Sequence, residues 1–93
     1  MARYRVVVDD LVLEVFHAQR MRSRQWLLDL FERLAEAPHS AGDYQVRDKT
    51  GRDHEVKIFG RWQVTFWCDA PVKELRIVRL DKLPFASRAR RKR

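Results

Sequence analysis

The sequence predicts a small α+β domain in which a helical hairpin packs on one face of a mostly antiparallel sheet. Three observations support this class. A β-branched run opens the chain, two segments with apolar residues at helical spacing follow it, and the second half alternates apolar and polar residues with a period of two. The predicted order is therefore strand, helix, helix and then a meander of four short strands.

The length of 93 residues suits one domain with a single thin core. We assign residues 1–84 to that domain and residues 85–93 to a basic C-terminal tail. The hydrophobic share of 45% favours a packed core over a disordered chain. A single cysteine, Cys68, excludes an internal disulfide and is interpreted as core filling.

Several classes of protein are disfavoured by the sequence. No spacing of cysteine and histidine resembles a metal site, and we expect neither a metal nor another cofactor. The N-terminus has no signal-peptide pattern, and no apolar run is long enough to span a membrane. These features predict a cytoplasmic protein.

The first half predicts one strand and two helices. The strand covers Arg3–Val8 because it contains three consecutive valines. Asp9 or Asp10 is expected to cap a first helix of about ten residues. Ser23 is expected to cap a second helix, which ends before Pro38. The predicted apolar stripes are Leu11, Val12, Val15 and Phe16 in the first helix, and Trp26, Leu27, Leu30, Phe31 and Leu34 in the second.

The second half predicts four strands separated by turn residues. They are Tyr44–Arg47, His54–Phe59, Arg61–Cys68 and Glu74–Leu80. In the third of these, Trp62, Val64, Phe66 and Cys68 are expected to face the core, while Arg61, Gln63, Thr65 and Trp67 face away. Val56 is expected on the side of Trp62, with Lys57 and Arg61 opposite. Apolar residues of both parities predict that the last strand lies inside the sheet.

The net charge of +7 is concentrated at the C-terminus. Five cations lie in the tail, which leaves +2 over residues 1–87; they are Arg88, Arg90, Arg91, Lys92 and Arg93. Such a tail contacts nucleic-acid phosphates, contacts an acidic partner protein, or is a solvated segment without a specific partner. The sequence leaves these three alternatives open.

The segment Gly60–Trp67 resembles a block in the RelE/ParE superfamily of bacterial type II toxin–antitoxin toxins, in which a glycine and a basic residue precede an apolar-aromatic strand. The first strand, the helical hairpin ending at Ala37-Pro38 and the closing Val72–Val78 segment extend the resemblance over residues 4–83. The pairs Gly51-Arg52 and Gly60-Arg61, with Gly42-Asp43-Tyr44, are similar to a plasmid-stabilisation-like branch of that superfamily.

The resemblance implies a RelE-like fold, an acidic cognate antitoxin as partner, and one of two actions on a shared scaffold. We favour a metal-independent endoribonuclease that cleaves messenger RNA on the ribosome and so inhibits translation. The alternatives are a non-enzymatic inhibitor of DNA gyrase, and a degenerate member that retains only antitoxin binding.

The resemblance also implies candidate catalytic residues. Lys57, Arg61 and Lys82 match or lie near basic positions of the family, and His54 and Glu55 are candidates for acid–base chemistry in place of a tyrosine. The pattern departs from the family where Gln63 replaces an arginine, where Glu55 replaces a second lysine, and where no tyrosine follows Tyr44.

Candidate nucleic-acid-binding residues are basic or aromatic positions of the strands and the tail. They are Arg47, Arg52, Trp67, Arg79, Arg88, Arg90 and Arg91. Each candidate also has a structural reading. From periodicity alone, Lys57 and Arg61 are predicted to be ordinary charged residues that face solvent. For Trp67 there are three alternatives: it stacks on a base, it contacts an antitoxin side chain, or it packs under the tail.

Overall fold

The computed structural model of the chain describes residues 3–84 and confirms the predicted α+β class. Its elements are β1 (Arg5–Val8), α1 (Asp10–His17), α2 (Met21–Glu36), β2 (Tyr44–Arg47), β3 (Asp53–Phe59), β4 (Trp62–Asp69) and β5 (Glu74–Lys82), with a 3₁₀ turn at Ala70–Val72. All five strands lie within two residues of their predicted bounds. Neither helix of residues 3–84 has the combination of length and hydropathy that a membrane-spanning helix requires.

The five strands form one sheet in the order β1-β5-β4-β3-β2. β1 pairs with β5 in parallel, and the other three pairings are antiparallel. β5 therefore lies inside the sheet, as its apolar residues predicted. Because β1 and β2 form the two edges, β4 is central and has a paired neighbour on each side.

The hydrophobic core lies between the helices and one face of the sheet. Its buried side chains are Val12 from α1, Leu27, Leu30, Phe31, Leu34 and Ala35 from α2, Trp62, Val64 and Phe66 from β4, and Leu75, Ile77 and Leu80 from β5. The alternation predicted for β4 is confirmed, since Val64 and Phe66 are 0% and 1% exposed. Burial of a side chain of this size stabilises the fold by about 1.5–3 kcal/mol.

A β-bulge in β5 explains why its apolar residues have both parities. Thr65 pairs with Arg79, whereas the adjacent Phe66 pairs with Ile77, so Val78 is an extra residue opposite β4. The bulge places Leu80 on the helix-covered face together with Ile77, although the two are three residues apart. Val78 and Arg79 are both left on the opposite face, which we call the open face.

The predicted facing of β3 is wrong. Val56 is buried, but it pairs with Thr65 and Tyr44 and so lies on the open face rather than beside Trp62. Lys57 pairs with Val64 and lies on the helix-covered face. The register across the β3–β4 turn decides this: Phe59 pairs with Trp62, so only the odd-numbered residues of β3 share the side of the core.

Three details of the helices also differ from the predictions. α2 begins at Met21 with Arg20 at its N-cap, so Ser23 lies inside the helix instead of capping it. The Arg24 amide already donates to the Arg20 carbonyl at 2.9 Å. Leu11 and Trp26 are 71% and 46% exposed, because the single contact stripe of each helix is filled by other residues. α1 has eight residues rather than about ten.

Gly42 offers a test of the packing between the α2–β2 loop and β3. A Cβ at this position would lie 2.5 Å from the backbone oxygen of Val56, and the Gly42 amide donates to Glu55 Oε1 at 2.7 Å. We expect Gly42→Ala to lower the free energy of unfolding by about 1–3 kcal/mol, as overpacking does. Urea denaturation followed by tryptophan fluorescence measures the change.

Gly60→Asn is the matched control. Gly60 has φ +61° with open space around its α-carbon, and asparagine tolerates that backbone conformation. Gly60→Asn should change the free energy of unfolding much less than Gly42→Ala does. Equal stability of Gly42→Ala and the wild type would show that the loop does not pack against β3 as described.

Candidate nucleic-acid interface

The open face of the sheet has arginines with carboxylates at its margins. Arg5, Arg76 and Arg79 lie on this face, since they pair in register with Glu74, Trp67 and Thr65. Glu74 accepts from both Arg5 and Arg76, and Asp81 accepts from Arg79 at 2.9 Å. The arginines hold the pKa of Glu74 below its ordinary value, the hydrogen bond from Arg5 being the largest cause. This face is therefore close to charge balance, and its arginines are held in place.

Trp67 forms an aromatic platform with two arginines at the centre of this face. The Arg52 guanidinium lies 3.8 Å from the centre of the Trp67 ring, and that of Arg76 lies 5.9 Å from it. Trp67 is half-buried and points away from the core, as predicted. Stacked guanidinium and indole planes are surfaces on which unpaired nucleobases stack. We call Arg52, Trp67 and Arg76 the stacking platform.

A cavity of about 330 Å³ lies on the open face beside the platform. It is lined by Tyr44, Val46, His54, Val56, Gln63, Thr65, Val78 and Arg79. The Tyr44 hydroxyl donates to Gln63 Oε1 at 3.1 Å and is close to solvent, since Tyr44 is 46% exposed. The cavity thus combines a phenol, an imidazole and a guanidinium on one surface.

His54 is held against the β2–β3 turn. Its Nε2 lies 3.2 Å from Asp48 Oδ2, and this buried nitrogen makes no hydrogen bond of good geometry. Asp48 Oδ1 accepts from the Thr50 hydroxyl at 2.6 Å and from the amides of Thr50 and Arg52. These contacts, the Thr50 hydroxyl first, lower the pKa of Asp48 to about 2. A carboxylate beside Nε2 favours the tautomer that leaves Nδ1 as the proton acceptor.

The structure does not bring Glu55 and Lys57 to His54. Because neighbours in a strand point to opposite faces, both lie on the helix-covered side. Glu55 accepts hydrogen bonds from the Gly42 amide and from Gln45 Nε2, at 2.7 and 2.6 Å. Lys57 Nζ lies 3.9 Å from Asp43 Oδ1. Their partners come from the α2–β2 loop and β2, so both residues stabilise the fold there.

Arg61 and Lys82 lie together at a third place, the end of the sheet where β3 turns into β4. Both line a cavity of about 410 Å³. His54 is five residues from Phe59 at the end of β3, which corresponds to about 17 Å along a strand. The five candidate catalytic residues are thus distributed over three separate locations.

The remaining predicted nucleic-acid contacts are similarly divided. Arg52, Trp67 and Arg79 share the open face, whereas Arg47 forms an ion pair with Asp53 at 2.9 Å. Arg88, Arg90 and Arg91 lie outside the described residues. Three further residues of this face, Tyr44, Gln63 and Arg76, were not predicted as site residues from the sequence. The register of β2 on β3 and the bulge at Val78 place them here, and strand alternation read one strand at a time does not show either.

Cys68 is half-buried near two other polar residues. Its Sγ lies 3.8 Å from His39 Nδ1, and His39 Nε2 lies 3.2 Å from the Tyr4 hydroxyl. Burial raises the pKa of the Cys68 thiol, which keeps it protonated and weakly nucleophilic. Within residues 3–84, no group of histidine, cysteine and carboxylate side chains has a geometry suited to a metal ion.

Comparison with known proteins identifies the fold. No protein-family model matches the sequence, and no curated protein matches it significantly. Among solved structures, the chain is similar to a chain in the crystal structure of the toxin–antitoxin complex RelBE2 from Mycobacterium tuberculosis, with a TM-score of 0.71 and 17% identity. The match covers 87% of this chain and 99% of the other. It confirms the RelE-like fold that the sequence predicted.

Asp48, in the turn between β2 and β3, should lower the free energy of unfolding as the pH falls. The pKa of Asp48 in the folded protein, about 2, is below its ordinary 3.8, so its contribution is complete above 3.8 and is lost as pH falls towards 2. We expect Asp48→Asn to be less stable than the wild type at neutral pH, with the difference narrowing over that acid range. Urea denaturation at several pH values tests this, and a difference that stays constant to the lowest pH would contradict it.

Proposed function

We propose that this chain is the toxin of a type II toxin–antitoxin pair and that it acts on RNA at the open face of its sheet. The stacking platform is the observation that carries the proposal. Two guanidinium groups around one indole, on the face that the helices leave free, suit an unpaired nucleobase and its phosphate. The similarity to a chain of a toxin–antitoxin complex supports the same class of function.

We propose metal-independent cleavage of messenger RNA as the reaction. In this chemistry a ribose 2′-hydroxyl attacks the adjacent phosphorus, its proton passes to a general base, and a general acid protonates the departing 5′-oxygen. Cations stabilise the negative charge that develops on the phosphate. The cavity beside the platform offers His54 as the base and Tyr44 as the acid. Arg79 lines the same cavity, and we assign it to the phosphate.

Asp48 serves as a positioning residue in this scheme. Its carboxylate lies beside the buried Nε2 of His54, so the proton is accepted at Nδ1. Tyr44 is exposed, so a substrate can reach its hydroxyl, whose proton turns from Gln63 to the departing 5′-oxygen. Gln63, which accepts the hydrogen bond from Tyr44, orients the phenol.

The partners follow from the same proposal. The substrate is messenger RNA on the ribosome, and a cognate acidic antitoxin neutralises the toxin in the cytoplasm. Exposed apolar side chains on the helices support a protein partner: Leu11, Leu13 and Leu28 are 71%, 38% and 44% exposed. The last two border an apolar groove of about 240 Å³ between α1 and α2.

A non-enzymatic inhibitor of DNA gyrase is the second candidate function. Two observations favour it: the open face is near charge balance, and Lys57 lies apart from Arg61 and Lys82, so the basic residues that resemble the catalytic positions of the family do not form one site. In that case the same fold binds a protein and no residue performs chemistry. A degenerate toxin that only binds its antitoxin would have no effect on growth.

The stacking platform is tested by growth arrest in a bacterial host that expresses the full chain. We expect Trp67→Ala, and Arg52→Ala combined with Arg76→Ala, to relieve the arrest, because loss of one stacked base costs about 1–3 kcal/mol. Arg33→Ala on the exposed side of α2 is the matched charge control and should remain toxic. Full toxicity of both platform variants at equal protein level would contradict the site.

The chemistry is tested separately from binding. We expect Tyr44→Phe and His54→Ala to retain ribosome binding and to lose about 10²- to 10⁴-fold in the rate of mRNA cleavage, the usual contribution of acid–base groups. Mapping of mRNA 5′ ends in expressing cells measures the rate.

Two outcomes would replace the ribonuclease proposal. Intact mRNA together with trapped gyrase–DNA complexes would favour the gyrase inhibitor. Wild-type cleavage by both variants would show that the cavity is not the catalytic site.

A further inference from the structure

A second cavity lies outside the open face, at the end of the sheet where β3 turns into β4. Its volume is about 410 Å³. The start of α2 contributes Arg22, Ser23 and Trp26, the turn contributes Phe59, Gly60, Arg61 and Trp62, and β5 contributes Lys82. Since Trp62 and Lys82 pair in register and Trp62 belongs to the core, this cavity is on the helix-covered side.

In the part of the chain that the structure describes, the cations of this cavity have no ionic partner, unlike Arg5, Arg76 and Arg79 on the open face. Arg22, Arg61 and Lys82 are all exposed. Within residues 3–84, no carboxylate lies within salt-bridge distance of any of the three. The lining also contains no acidic residue. An anion would therefore meet unpaired positive charge here, whereas on the open face it competes with Glu74 and Asp81.

The same cavity has an exposed aromatic wall. Trp26 is 46% exposed, although tryptophan on an amphipathic helix is ordinarily buried, and Trp62 forms the floor with Lys82 Nζ 5.6 Å from its ring centre. An exposed indole beside unpaired cations is the combination with which single-stranded nucleic acids are bound, the base on the ring and the phosphates on the charges.

The segment that follows β5 lies beside this cavity. Arg61 donates to the Pro84 carbonyl at 2.9 Å, and the Leu83 amide donates to the Arg61 carbonyl at 2.6 Å. The sequence that follows Pro84 contains five further cations and no carboxylate side chain. The strongest positive charge of the protein is thus continuous in sequence with the cavity.

We propose that this cavity binds a second segment of single-stranded RNA, with a base stacked on Trp26 and its flanking phosphates at Arg22, Arg61 and Lys82. The inference rests on the proposed function, because it supposes the same ligand running from the open face past the β3–β4 turn. Arg61 and Lys82 are then binding residues rather than catalytic ones. An acidic protein segment would use the cations but leave the exposed indole without a base to stack on.

The test is a titration of a fluorescently labelled single-stranded oligouridylate with the full-length chain. We expect Trp26→Ala to weaken binding by about tenfold or more, as loss of one base stack does. Val72→Ala is the matched control, since Val72 is an apolar side chain that is 57% exposed and does not line this cavity or the cavity of the open face. Its affinity should equal that of the wild type, and Trp26→Phe should recover part of the loss.

The contribution of the cations to RNA binding is measured by the dependence of affinity on salt concentration. We expect Arg22→Ala combined with Lys82→Ala to reduce the slope of log affinity against log salt by about 1.4, the value for two single-strand phosphate contacts. Lys49→Ala, in the β2–β3 turn, removes a charge elsewhere and should leave the slope unchanged. A slope equal to that of the wild type in the double variant would overturn the phosphate assignment.

Trp67→Ala in the same titration separates this inference from the proposed function. If Trp67→Ala weakens RNA binding and Trp26→Ala does not, the proposed binding of a second RNA segment is wrong, and the proposed RNA site on the open face is retained. If Trp26→Ala weakens RNA binding and Trp67→Ala does not, RNA binds at the cavity beside the β3–β4 turn and not at the open face. A polyglutamate peptide that depends on Trp26 as strongly as the RNA does would overturn RNA as the ligand, and unchanged binding by both variants would overturn both proposals.

Discussion

The alternation along β4 is the constraint on which the rest of the molecule depends. β4 is paired on both sides, so its register determines the facing of β3 and, with the bulge at Val78, that of β5. Trp62, Val64 and Phe66 point to the helices, and this fixes Gln63, Thr65 and Trp67 on the other face. A shift of one residue would exchange core and site together.

The bulge at Val78 gives β5 two functions within one strand. On the helix side it brings Leu80 into the same core as Leu75 and Ile77. On the open side it leaves Arg79 opposite Thr65 and Arg76 opposite Trp67, at the margins of the cavity and of the platform respectively. Packing and the arrangement of the arginines therefore have one structural cause, which is why the candidate site lies over the most strongly packed part of the sheet.

The sequence predicted the class of fold, the element order and all five strands, because apolar spacing is a local signal. It also predicted that Trp67 faces away from the core. It placed Val56 and Lys57 on the wrong faces, since which parity of β3 meets the core depends on the register of the turn at Gly60. It also assigned Trp26 to the core, since helical spacing alone does not show that Leu27, Leu30, Phe31 and Leu34 fill the contact stripe. The distribution of His54, Lys57 and Arg61 over three places follows from strand length and register.

RNA binding at the open face is the central claim about this protein. Amide and indole chemical shifts recorded during addition of a single-stranded RNA oligonucleotide test it directly. We predict the largest changes in chemical shift at Trp67, Arg76 and Arg79, which lie in β4 and β5, and smaller changes in the helices. Unchanged signals for these three residues in the presence of saturating RNA would contradict the claim.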